Sequence, residues 1–553
     1  MSGQSADAIV VGHGLAGLAA TCELVDAGKT VLLVDQQGPA DFGGQAYWSF
    51  GGLFLVNTPE QRLCGIRDSR QLAWQDWLGS AEFTDGDPDD ELARSWAERY
   101  VDFAAGEQRS WLRSLGWRAY PLPGWPERGG HGALGSGNSV PRFHITWGTG
   151  PGLVEVFARR VLAAQARGAV TRLFRHRVDE LDVTDGRVVG VRGTLLEPAD
   201  QPRAVRSADA PVGDFTLAAS AVVLATGGVG GSPTLARELF EQSFGSCPEG
   251  TLCGNPAYVD GRMIAIARRA GAKVVNENRL WFYPDGVTNV APVWPNHGIH
   301  VTAGPSALWL DGAGRRLPPP LYPNFDTVGA VRHVVESGYA YSWLVLNRAM
   351  FAKEFAMSGQ ELNEPITGRH PWLAAKGLLR PRISAHLQDF LDRGVDFVSA
   401  PTVAALARAM SAVPDVAPID AAVLEREISA RDSQVGNPYS KDPQFAAIHN
   451  ARRYWPDRFR VARPGPILDR RSGPLIAVKL HITTRKTLGG LQTDLTGRVL
   501  TPQGAPLPGL YAAGEVCGFG GGGIHGHRSL EGTFVGGCLF TGRVAGRHAA
   551  TAI

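Results

Sequence analysis

The chain has 553 residues, 44% hydrophobic and 20% charged, which is too long for one core and excludes a disordered or fibrous protein. Fifty-five Lys and Arg against 53 Asp and Glu leave a formal net charge of +2, which gives no reason to invoke nucleic acid or an anionic membrane as partner. Six cysteines with no CxxC spacing predict reduced thiols rather than a disulfide framework or a metal site. The first strand begins without a basic, apolar leader, and no run of about 18 apolar residues follows. A cytoplasmic protein with no transmembrane segment is expected.

Ala8-Ile-Val-Val11 predicts a buried strand, and it runs straight into Gly12-His-Gly14-Leu15-Ala16-Gly17. Leu15, Leu18, Cys22 and Val25 then recur at helical spacing up to Gly28, and Val31-Leu-Leu-Val34 predicts a second strand ending on Asp35 and Gln36. The order strand, glycine turn, helix, strand and acid is that of a dinucleotide site. There the first glycine permits the turn, the second admits a pyrophosphate and the third lets helix pack on strand. The helix N-terminus offers its amides to the phosphates, and Asp35 offers a carboxylate to a ribose hydroxyl.

Gly43-Gly44-Gln45 and Gly51-Gly52 frame aromatic and small residues, a pattern suited to backbone lying against a flat ring. Tryptophans 74, 77, 96 and 111 fall on helical packing faces, and residues 121–150 predict a long ordered loop. A helix is expected from Pro151 to Gly168. A hairpin is expected about Asp185-Gly186, and a third strand at Phe215–Leu217. A buried return strand over Ala221–Leu224 ends in Ala225-Thr226-Gly227-Gly228, and Asp260 opens a helix that stops before Ala272. From 284 the chain becomes rich in proline and asparagine, and strands return near 473. This predicts a first domain part at 1–283, an inserted domain at 284–472 and a second part at 473–553. Gly509–Val516 is a last apolar strand running into glycine, and the sequence shows no internal repeat.

Taken together, these motifs resemble those of the fumarate reductase and 3-ketosteroid dehydrogenase flavoprotein family. The resemblance rests on Gly12–Gly17, on Ala225-Thr-Gly-Gly228, and on Tyr511-Ala-Ala-Gly514-Glu515. Thr487-Leu-Gly-Gly490 and Gly526-His-Arg-Ser-Leu-Glu-Gly532 belong to the same pattern. It implies an α/β fold: a Rossmann-like FAD-binding domain with a parallel sheet and β-meander, interrupted by an α+β capping domain that holds substrate over the flavin. Glu515 would bind the ribityl chain. Ser529, Leu530 and Phe534 would lie where a helix opening near Leu530 points its amides at the flavin pyrimidine edge. Gln45 stands where members with covalent FAD carry histidine, so FAD is expected to be non-covalent.

The implied chemistry is hydrogen removal or addition across a carbon–carbon bond alpha to a carbonyl, with flavin as redox centre and a side chain as proton carrier. The ketosteroid dehydrogenases carry a catalytic tyrosine where this chain has Ile476. Tyr322 is the replacement proton carrier expected, and Tyr283 a second candidate. Arg528 matches the arginine that grips a carboxylate in fumarate reductases. His525, beside it, is a proton shuttle or oxygen ligand, and Lys486, next to Arg485, keeps positive charge where that family has a histidine. Glu531 reads as a helix-start carboxylate. Three functions stay open: dehydrogenation of a bulky apolar ketone, reduction of a small unsaturated carboxylate, and flavin binding without turnover. The partners expected are a small-molecule substrate and an unidentified electron donor or acceptor.

Overall fold

The computed structural model describes residues 4–379 and 382–553. Its elements that bear on the site are, in chain order, β1 (Gln4–Val11), α1 (Leu15–Asp26), β2 (Val31–Val34), α2 (Thr149–Ala166), β3 (Pro211–Leu224), β4 (Leu280–Thr288), α3 (Glu364–Thr367), α4 (Pro371–Leu379), β5 (Leu475–Thr487), β6 (Pro506–Ala512) and α5 (Thr533–Ala552).

The short, continuously apolar runs read from sequence become inner strands of an eight-stranded sheet, because strands covered on both faces need no polar alternation. The order Arg498–Leu500, β6, β3, β1, β2, Val170–Leu173 places β1 at the centre, parallel to β2 and β3. Val11 is in register with Val34 on one side and Leu224 on the other, so the three strands end level. Gly12, Asp35 and Ala225 therefore emerge together at the carboxyl edge, where ligands bind in open parallel sheets. Helix α5 packs on α1 through glycine: a Cβ on Gly542 would lie 2.4 Å from the Ala16 carbonyl oxygen.

The strands expected at 215–217 and 221–224 are one long strand, β3. Its first half joins the hairpin His176–Thr184 and Arg187–Leu196, and its second half joins β1. Helix α2 starts at Thr149 rather than Pro151, and the helix expected to open at Asp260 spans Arg262–Arg269.

A second, seven-stranded sheet is antiparallel along its main path and is built around β5, which pairs with β4, Tyr341–Asn347 and Phe397–Ala400. The boundaries expected at 283 and 473 both fall at this sheet. The first cuts through β4, and the second assigns β5 to a different domain from the strands it pairs with. Sequence hid this because β4 and β5 each run from the cofactor side into the cap. Ile476, where the family tyrosine was sought, is buried in the cap core, opposite Leu346 and Ser399.

Candidate active site

A groove runs across the carboxyl edge of the parallel sheet, bounded by Gly12–Ala16, Asp35–Gln37, Gly44–Ala46, Ala225–Gly227, Tyr258–Asp260 and Ala513–Glu515. Its glycines divide by what stands against them. Gly12 has φ +102°, and a Cβ there would meet the Ala225 carbonyl oxygen at 2.4 Å. On Gly17 a Cβ would lie 1.9 Å from the carbonyl oxygen of Gly12. Gly14, the residue that caps α1, has an ordinary extended backbone, and no protein atom lies within 4 Å of where its Cβ would stand. Nothing in the protein requires glycine there; a ligand would.

No side chain caps α1, which leaves first-turn amides for an anion. Asp35 accepts from the His13 amide at 2.9 Å and the Gln37 amide at 2.8 Å, and keeps lone pairs for a further donor. Buried polar atoms on the groove wall lack protein partners: His13 Nε2 and the hydroxyl of Tyr258, while His13 Nδ1 lies 3.3 Å from Asp35 Oδ2. Orphaned polar groups beside an open helix N-terminus fit a dinucleotide such as FAD. Gln36 joins the wall through a 3.3 Å bond to Asp260, whose carboxyl burial raises above its usual range.

At the far end, Glu515 is buried and accepts from the Thr487 amide at 2.9 Å and Gln45 Nε2 at 2.7 Å. Lys486 lies 3.3 Å from the same carboxylate and donates to Gln45 Oε1, which also accepts from Asn255 at 2.7 Å. Burial lowers the Lys486 pKa and Glu515 works against that shift. A Cβ on Gly228 would lie 2.5 Å from Glu515 Oε1. Lys486 is thus part of the cofactor-side network, held by Glu515, rather than a free cation facing substrate. Gly43, Gly51 and Gly52 press instead on Val154, Thr149 and Phe143, so the protein's own packing accounts for them.

The catalytic candidates separate. His525 is corrected from proton shuttle to core residue. It is buried, stacks on Trp77, sits 2.9 Å from Thr533 Oγ1, and burial pushes its pKa down to about 3. Ser529 bonds the same Thr533 hydroxyl at 2.9 Å, and Leu530 and Phe534 belong to the surrounding apolar cluster. Helix α5 opens at Thr533 behind Gly532, three residues later than expected. Tyr322 lies in the cap, its hydroxyl buried without a partner and pushed up to about 12 by burial. The charges nearest it are Arg316 and Asp442, 2.6 Å from each other. Arg528 is committed to Asp326 and to Glu82 Oε1 at 3.2 Å, so it anchors its loop.

The pair that does converge is Tyr283 with Glu531. The hydroxyl donates to Glu531 Oε1 at 2.7 Å, and Trp281 Nε1 reaches the same oxygen at 3.3 Å. Tyr283 is buried, with His300 stacked on its ring at 3.7 Å between centroids and the Arg485 guanidinium 6.0 Å from its centre. Burial, then the Glu531 charge, raises the Tyr283 hydroxyl well above its usual pKa, so it acts neutral. Glu127, buried and held at 2.5 Å by Thr327 Oγ1, is likewise raised by burial, with Glu531 and Asp326 adding to it. Arg485 itself donates to the Gly254 carbonyl at 2.8 Å. Sequence offers Tyr283 as a candidate but gives no route to its pairing with Glu531, since the partners lie 248 positions apart.

Glu361 faces the same arginine from the cap, and burial pushes its carboxyl up from 4.5 to about 7. A proton held more tightly by the folded chain makes stability fall as pH rises from about 4.5 to about 7, then level off. Glu361→Gln removes that loss. Thermal unfolding of the variant against the parent is expected to show a gain that grows across this window; an unchanged gap would mean Glu361 does not titrate there.

A family model described as FAD binding domain matches residues 7–535. The chain is 56% identical to a KsdD-like steroid dehydrogenase of Mycobacterium tuberculosis (strain CDC 1551 / Oshkosh), covering 99% of this chain and 96% of that protein. It is 57% identical to a KsdD-like steroid dehydrogenase of Mycolicibacterium smegmatis, covering 99% of each. Among solved structures, 3-ketosteroid delta1-dehydrogenase from Sterolibacterium denitrificans superposes with a TM-score of 0.71 over the whole of both chains at 17% identity, a likeness of fold.

Proposed function

The chain belongs to the FAD binding domain family and is a FAD-dependent oxidoreductase; we propose that it removes hydrogen across the carbon–carbon bond alpha to the carbonyl of a bulky, apolar, ketosteroid-like substrate. The substrate class rests on the steroid dehydrogenase relatives. The proton chemistry rests on one observation, the buried Tyr283–Glu531 hydrogen bond beside Arg485.

Bound FAD supplies the hydride acceptor. Gly12–Gly17 and Asp35 would hold its pyrophosphate and ribose, and Glu515 its ribityl chain, non-covalently. The protein must take the proton left behind. In this reading the Tyr283 oxygen receives it from the carbon next to the carbonyl while the Tyr283 hydroxyl proton passes to Glu531. A neutral tyrosine backed by a carboxylate does this without forming a tyrosinate, which burial disfavours. Arg485 polarises the carbonyl and steadies the enolate-like charge that develops on it. Arg528, neutralised by Asp326 and Glu82, offers little to a second carboxylate, which argues against a small unsaturated acid as substrate.

Reoxidation requires an external electron acceptor, and six free cysteines support a reducing, cytoplasmic setting. The test is turnover of a panel of 3-ketosteroids, simple cyclic ketones and unsaturated dicarboxylates with an artificial electron acceptor or donor, and mass analysis of products. Loss of two hydrogens from a saturated ketosteroid is expected; reduction of the dicarboxylates alone would overturn the reading.

A further inference from the structure

Net charge near neutrality conceals a local asymmetry. From Pro365 to Gln388 the chain has no acidic residue and four cations, Arg369, Lys376, Arg380 and Arg382. The segment contains α4, with sequence Pro-Trp-Leu-Ala-Ala-Lys-Gly-Leu-Leu, and none of the helix's residues is buried. Trp372 is 86% exposed, Leu379 69% and Leu373 47%. Exposed apolar side chains grouped on one short helix mark an interaction surface rather than random surface hydrophobicity.

The base of this helix is fixed. In α3, just ahead of it, the Ile366 carbonyl accepts from the Gly148 amide at 3.1 Å, and Thr367 Oγ1 lies 2.9 Å from Thr149 Oγ1. Arg369 pairs with Glu155 at 2.6 Å. So the approach to α4 is held against the start of α2, while Trp372 and Leu379 stand in solvent. Glu361, the carboxyl facing Arg485, stands on the loop that leads into α3.

We propose that α4 is a docking element for an anionic phospholipid surface. Tryptophan and leucine seat at the headgroup boundary, and Lys376, on the helix itself, meets the lipid charge, whereas Arg369 is already paired with Glu155 and belongs to the fixed base. Among the described residues no helix is long and apolar enough to cross a membrane, so the attachment is peripheral. A protein partner would need its own acidic, apolar groove; a bilayer supplies both chemistries on a flat face, which suits a short helix projecting from a fixed base.

The test uses the full-length, FAD-loaded protein and sedimentation with vesicles of phosphatidylcholine alone or phosphatidylcholine with phosphatidylglycerol. Binding is expected only to the anionic vesicles and is expected to weaken with added salt. Trp372→Ser with Leu379→Ser lowers the bound fraction about tenfold or more, and Lys376→Ala lowers it about fivefold, with the flavin absorbance of each variant unchanged. Equal binding by parent and variants, equal binding to neutral vesicles, or no binding at all would overturn the proposal. Loss of a dimer on Trp372→Ser, without vesicle binding, would also overturn it and assign the helix to a second copy of the chain.

Discussion

Replacing Glu531 by glutamine is expected to lower kcat for ketone dehydrogenation by about 10²–10⁴-fold, the usual contribution of a positioned acid–base group. Glutamine keeps the shape and still accepts the Tyr283 hydrogen bond through its amide oxygen, but it takes up no proton. Tyr283→Phe removes the oxygen proposed to take the substrate proton and should cost a similar factor. Because the two act as one relay, the double variant should be little worse than either single one. FAD content should stay near that of the parent, since neither residue lines the cofactor groove. A fall confined to KM would mean that the pair positions substrate without moving a proton.

Gly14 and Gly17 belong to one motif, yet alanine is expected to damage folding at one and cofactor binding at the other. Gly17→Ala places a methyl 1.9 Å from the Gly12 carbonyl oxygen, backbone against backbone with no flexible side chain to yield. A loss of about 3 kcal/mol or more is expected, enough to prevent accumulation of folded protein. Gly14→Ala meets no protein atom and asks for no unusual backbone angle. The apo-protein should therefore unfold at nearly the parent temperature, yet bind FAD about 100-fold more weakly, because the methyl occupies the space left for the pyrophosphate. Flavin fluorescence titration and thermal unfolding of apo-protein separate the two effects. Parent-like FAD affinity in Gly14→Ala would place the pyrophosphate elsewhere.

Local sequence rules made the cofactor half of the molecule legible. Strand, glycine turn, helix and terminal acid are neighbours in the chain, and the register of β1 with β2 and β3 follows from their apolar runs. The substrate half was not legible in the same way. Its sheet is assembled around β5 from strands as distant as Leu252–Cys253 and β4, so the change in composition at 284 falls inside a strand rather than at the edge of a structural unit. Arg528 is a candidate through its match to the fumarate reductase arginine and His525 through lying beside it, yet His525 is buried among aromatics and Arg528 is ion-paired. Glu531 read as a helix-start residue, but Gly532 caps that helix and leaves the carboxylate free to face Tyr283. Such a pairing depends on how two distant segments cross, and no spacing rule encodes it.

The central claim, that the chain supplies its own proton acceptor for flavin-dependent ketone dehydrogenation, is tested most directly by anaerobic mixing of oxidised holoenzyme with a saturated 3-ketosteroid. The parent should lose its oxidised flavin absorbance without added reductant. Glu531→Gln should bind the same ligand and bleach about 10²-fold or more slowly. Bleaching of parent and variant at the same rate would contradict the assignment of Tyr283 and Glu531. A parent that keeps its oxidised spectrum with every ketone, and whose reduced flavin is reoxidised by an unsaturated dicarboxylate, would contradict the dehydrogenase reading itself.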